Sequence, residues 1–91
     1  MKQERKSTVI PSHLLVLTNL DLIEMVVVGD KVQRLQQTIK QKHLLHIGYE
    51  ALCKAAEGYK TETRVPFEVY AYACIENAIV AALEQSHMAS A

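Results

Sequence analysis

A chain of 91 residues, 49% of them apolar and with a net charge of +0, is long enough for one small domain with a modest core. The apolar fraction excludes wholesale disorder, and the scarcity of Gly (3) and Pro (2) argues for long regular elements over a loop-rich or all-β fold. Ten basic residues are balanced by ten acidic ones, so the global cationic excess that drives nucleic-acid binding is missing, and only a local patch could supply it.

Residues 1–8 read as a solvated tail, with charges of both signs and no signal-peptide apolar core. Val9-Ile10-Pro11 leads into structure, with Ser12 as a helix N-cap. From His13 to Val28 the apolar residues Leu14, Leu17, Leu20, Ile23 and Val27 recur at helical spacing, which predicts a single helix. The β-prone Met25-Val26-Val27-Val28 run and the partial alternation of Leu15, Leu17 and Asn19 leave a hairpin as the competing reading. Gly29-Asp30 is a break, where Gly29 can adopt positive φ and Asp30 can cap the next helix. That helix has a thin apolar stripe of Val32, Leu35 and Ile39. Its opposite face of Lys31, Arg34, Gln36, Gln37, Lys40 and Lys42 is either a solvated surface or one turned towards a polyanion.

A third helix is predicted from His43 to Glu57, with Leu45, Gly48, Leu52, Ala55 and Ala56 near one face and Gly58 ending it. Gly48 and the two alanines would let another helix approach closely. Tyr59 to Val65 forms a polar turn, and Pro66 suits the first position of a fourth helix running to Gln85. Phe67, Tyr70, Ala71, Cys74, Ile75, Ala78 and Ala82 give that helix one broad apolar stripe. Ser86 to Ala91 reads as a flexible end or as vector-derived residues. The predicted fold is therefore all-α, a small bundle of about four helices, with a tail over 1–8, one domain over 9–85 and an end segment over 86–91. No apolar run is long enough to span a membrane.

Signals for catalysis are weak, and the chain is not expected to be an enzyme or to carry a cofactor. It has no Gly-rich phosphate loop. Cys53 and Cys74 form neither a CxxC pair nor a disulfide framework, and read as two buried thiols of a reducing cytoplasm. His43 and His46 lie one helical turn apart, a ligand-compatible spacing, but no Cys or carboxylate completes a metal set. A Cys53–His nucleophile pair lacks an orienting group, and Glu57, Glu62 and Glu68 read as helix-end charges. The aromatic residues Tyr49, Tyr59, Phe67, Tyr70 and Tyr72 all lie in the second half, close to Lys54, Lys60 and Arg64, where rings and cations could hold unpaired bases. The competing assignment puts Phe67 and Tyr70 in the core and leaves Tyr72, off the main stripe, as the exposed ring.

The run from Leu44 to Leu83 resembles the second half of region 2 of bacterial RNA polymerase sigma factors. The resemblance rests on Leu44-Leu45, Gly48, Leu52, Lys54-Ala55-Ala56-Glu57 and Tyr59, then Val65-Pro66-Phe67, Tyr70-Ala71-Tyr72, Ile75 and Ala78-Ile79, in register without a gap. It implies an all-helical sigma region 2-like fold in which one helix docks on the β-prime clamp of RNA polymerase core. The next helix would contact the flipped, unpaired bases of the −10 promoter element. By this resemblance the polymerase-docking residues would be Leu45, His46, Tyr49 and Cys53, and the DNA-binding residues Lys60, Arg64, Tyr70 and Tyr72. Several positions depart from the family pattern. The acidic and amide docking positions fall on His43, His46 and Ile47, which removes charge-assisted hydrogen bonds worth roughly 1.5–3 kcal/mol each. The paired aromatics that wedge the duplex open fall on Ala73 and Cys74, and an Arg position falls on Glu76. The resemblance covers no region 4, and a partner chain supplying it is one expectation. Two expectations follow. One is a sigma-like transcription protein docking on polymerase and sharing −10 recognition with a partner chain. The other is a protein–protein interaction module on the same scaffold, which could form a homodimer that covers the Leu/Val-rich first half.

Overall fold

The computed structural model describes residues 11–35, 39–60 and 64–89. It is all-α, with helices α1 (Ser12–Leu17), α2 (Asp21–Val27), α3 (Asp30–Arg34), α4 (Gln41–Gly58) and α5 (Phe67–Ala89), and no strand among the described residues. That removes the hairpin reading of the first half. No helix among the described residues is long and apolar enough to cross a membrane.

The two long helices form an antiparallel hairpin. The position of a Cβ on Gly48 of α4 lies 3.3 Å from Ile75 and 3.4 Å from Ile79, whereas that on Gly58 lies 3.7 Å from the Tyr70 hydroxyl. Helix α4 buries Leu44, Gly48, Ala51, Leu52, Ala55 and Ala56, and α5 buries Phe67, Ala71, Ile75, Ile79 and Leu83. Recurrence at every fourth residue puts each set on one face. Helix α1 lies on α4, α2 packs on both α4 and α5, and α3 rests on α5, so the three short helices close the other side of one core.

The single helix expected over His13–Val28 is two helices, and its break has a local cause. The Asn19 side chain donates to the Leu15 carbonyl (2.9 Å), which diverts the Asn19 backbone N–H to the Val16 carbonyl (3.1 Å). Thr18 Oγ1 donates to the Leu14 carbonyl (2.7 Å), so side chains take over acceptors at the end of α1. Asn19 is only 8% exposed, and its amide also reaches Thr18 Oγ1, so this buried polar group is satisfied.

The other caps depart from expectation. Ser12 and Asp30 are first helical residues rather than N-caps; the N-cap positions belong to Pro11 and Gly29, without side-chain cap bonds. Gly29 has φ −71° and ψ 159°, so it does not use the left-handed region. Gln33 instead closes the end of α2, donating from Nε2 to the Val27 carbonyl at 2.8 Å. The helix expected to carry the Val32, Leu35 and Ile39 stripe stops early, because Leu35 is extended at ψ 142°. Val32 is its one buried residue, too little anchorage to propagate a helix that would be marginal alone. Gln36 and Gln37 lie outside the described residues.

Helix α4 starts at Gln41, with the Lys40 carbonyl accepting from His43 and Leu44, and ends at Gly58 before an extended Tyr59. The Pro66 carbonyl accepts from the Val69 and Tyr70 N–H groups, both at 3.1 Å, so Pro66 precedes α5 rather than opening it. Helix α5 continues beyond Gln85 to Ala89.

Candidate functional site

The residues singled out for polymerase docking fall on one side of α4. Leu45, Tyr49 and Cys53 follow one another at i, i+4 and i+8, with His46 on the adjoining stripe. Helix α1 crosses this side, and Ser12, His13, Val16 and Leu17 meet Tyr49, Cys53 and Glu57 around a cleft of about 300 Å³. Val16 is buried, whereas Leu17 is 61% exposed and Tyr49 46% exposed. The cleft thus offers an apolar lining and a reachable ring. The Tyr49 phenol is raised above its ordinary value, first by its hydrogen bond with Cys53, then by repulsion between the two ionised forms, then by burial. It stays a neutral hydroxyl at physiological pH. His46 Nε2 lies 3.2 Å from Glu50 Oε2, one turn on; both are well exposed, so the pair adds little. His43 is also exposed, and no group of three His, Cys, Asp or Glu among the described residues could hold a metal ion.

His13, Val16, Leu17 and Glu57 join this cleft although nothing in the sequence reading singled them out as a site. Leu17 was visible as part of an apolar run. Its placement opposite Tyr49 depends on the α1–α2 break, which periodicity alone does not reveal.

Lys60, Arg64 and Tyr70 gather at the turn end of the α4–α5 hairpin. The Tyr59 hydroxyl donates to the Val65 carbonyl at 2.6 Å, and its ring stands edge-on to Phe67, with centroids 5.2 Å apart. Tyr70 leans on the same ring at 5.8 Å. Phe67 is buried and Tyr70 half-buried, so both contribute to packing. Cys74 raises the Tyr70 phenol, chiefly by charge repulsion, then through burial and a hydrogen bond. Lys60 and Arg64 are exposed beside this cluster, and Arg64 has φ 67°. Glu62 lies outside the described residues.

Tyr72 is not part of that corner. At i+2 it points about 200° round the helix from Tyr70, into a groove between α2 and α5 with Leu22, Glu68, Val69, Ala73 and Glu76. Its hydroxyl lies 3.7 Å from where a Cβ on Gly29 would stand, at the α2–α3 corner. Tyr72 is therefore half-buried rather than the exposed ring expected of it; that description fits Tyr49. Cys53 and Cys74 are likewise half-buried rather than buried. Among the departures from the sigma pattern, Ala73 is exposed, Ile47 faces a groove lined by Lys40, Lys42 and Ala82, and Glu76 sits 3.9 Å from Lys31 of α3.

No protein-family model matches this chain, and neither a curated protein nor a solved structure does.

Proposed function

We propose that this chain is a sigma region 2-like transcription protein that docks on RNA polymerase core, at the β-prime clamp, through the α1–α4 cleft. It would contribute part of −10 recognition together with a partner chain. The observation that carries this reading is the pairing of α4 with α5. Gly48, Leu52, Phe67, Ala71, Ile75 and Ile79, which carry much of the resemblance, are among the buried residues of that hairpin. On the adjoining side Tyr49 and Leu17 offer an exposed ring and an exposed aliphatic chain beside Cys53, a suitable surface for an apolar anchor. Lys60 and Arg64 beside Tyr70 form the DNA-facing corner. Tyr72 points away from that corner, so single-strand contact is limited and depends on the partner chain.

The test is retention of purified bacterial core polymerase on the immobilised chain. Retention is expected, and Tyr49→Ala should weaken it by about tenfold, the loss of one interface anchor. Absence of retention would sink the docking reading. Salt-sensitive fluorescence anisotropy with a −10-like single strand reports on the other half; it should be weak, and weaker still in Arg64→Ala. The second reading, a protein–protein interaction module without promoter contact, draws on the exposure of Leu14, Leu17, Met25, Val28 and Val69. It predicts no polymerase retention and no response to single-stranded DNA.

A further inference from the structure

We propose that the groove between α2 and α5 docks a basic amphipathic helix of a partner protein. The groove is distinct from the α1–α4 cleft, and no residue lines both. Its floor and walls are apolar: Leu22 from α2, and Val69, Tyr72 and Ala73 from α5. Val69 is 59% exposed; Met25, 50% exposed, lies one turn beyond Leu22 on α2. Two helices that leave such a trough between them accept a third by the packing that already joins them.

The charge around the groove selects the occupant. Glu68 and Glu76 line it. Lys31 approaches Glu76 only to 3.9 Å and offsets part of that charge. In a chain of zero net charge this is a local acidic frame around apolar residues. A second copy docking face to face across a two-fold axis would bring the Glu68 and Glu76 pair up against the same acidic pair of its partner, an unfavourable juxtaposition. A helix with Leu-type anchors flanked by Lys or Arg meets both the apolar floor and the acidic rim.

Two fluorescent synthetic peptides test this on the full chain: a helix of about four turns with Leu at i, i+3, i+4 and i+7 and Lys on the flanks, and the same helix with Glu for Lys. Anisotropy gives affinity and two-dimensional NMR locates the site. The Lys peptide should bind and shift the resonances of Leu22, Val69 and Ala73. Val69→Asp should weaken it about tenfold or more, and Glu68→Lys with Glu76→Lys should abolish the preference for Lys over Glu. Ala73→Gln, a neutral change at another exposed position, repeats the apolar test should Val69→Asp lose helicity. Equal binding of both peptides, no binding, or shifts confined to the α1–α4 cleft would overturn the proposal. So would a dimer that Val69→Asp converts to a monomer in sedimentation, which makes the occupant a second copy.

Discussion

Arg64 has φ 67°, a left-handed conformation that costs a non-glycine residue about 1–2 kcal/mol. Two neighbours hold it there. Val65 precedes Pro66 and is thereby steered to extended backbone. Its carbonyl is tied to the Tyr59 hydroxyl, which fixes the path of the turn. Arg64→Gly should therefore raise the stability by about 0.5–1 kcal/mol in urea denaturation, while Arg64→Ala, which removes the charge but keeps the Cβ, should change it little. Equal effects of the two substitutions would show that the charge, not the backbone, matters. Such residue-scale facts were largely hidden in the sequence. Asn19 reads as an interruption only once its amide is seen on the Leu15 carbonyl. Tyr72 was misjudged because a helical stripe counts one partner helix, and the α2–α3 corner supplies another.

At the scale of elements, the α4–α5 hairpin was the most legible part. Its apolar residues recur with a long, uninterrupted helical period, and Gly48 sits where Ile75 and Ile79 of α5 come within 3.3 and 3.4 Å of a Cβ position. A Cβ at Gly48 would stand 2.7 Å from Ile23 Cγ2, a methyl on a β-branched carbon with no room to swing aside. Gly48→Ala should thus destabilise the protein by about 1–3 kcal/mol, although Ala is favoured over Gly in a helix by about 1 kcal/mol. Gly58→Ala is the control. Its new methyl would meet the Tyr70 hydroxyl at an ordinary 3.7 Å, so the propensity gain survives and stability should rise by about 0.5–1 kcal/mol. Thermal melts with the two variants in the reverse order would refute this packing. Helices α1 and α2 were less legible because they end through side-chain bonds from Thr18, Asn19 and Gln33 rather than at a break in hydrophobic period. The candidate cleft inherited that obscurity, since α4 supplies Tyr49 and Cys53 but the misread α1 supplies the facing wall.

Taken as a whole, the molecule has one core to which four helices contribute fully buried side chains: Val26 from α2, Val32 from α3, Leu44 and Leu52 from α4, and Ile75, Ile79 and Leu83 from α5. Helices as short as α1, α2 and α3 have no stability of their own in water, so their helicity depends on the α4–α5 hairpin. The hairpin in turn needs them to cover Gly48 and the buried face of α5. Unfolding should accordingly be a single transition. The aromatic residues allow a stringent check, because Tyr49, Tyr59, Tyr70 and Tyr72 all belong to the hairpin half of the chain. Tyr49 faces α1 and Tyr72 meets the α2–α3 corner, so with both replaced by Phe the fluorescence of Tyr59 and Tyr70 reports the hairpin, while far-ultraviolet circular dichroism reports every helix. Ile75→Ala should cost about 2–5 kcal/mol, a large part of the 5–15 kcal/mol typical of a domain. It should shift both signals to the same lower temperature. A circular-dichroism loss that precedes the fluorescence change would mean that α1–α3 detach first and that the core is not shared. The α1–α4 cleft, which needs α1 in place, would then be an intermittent surface rather than a standing one.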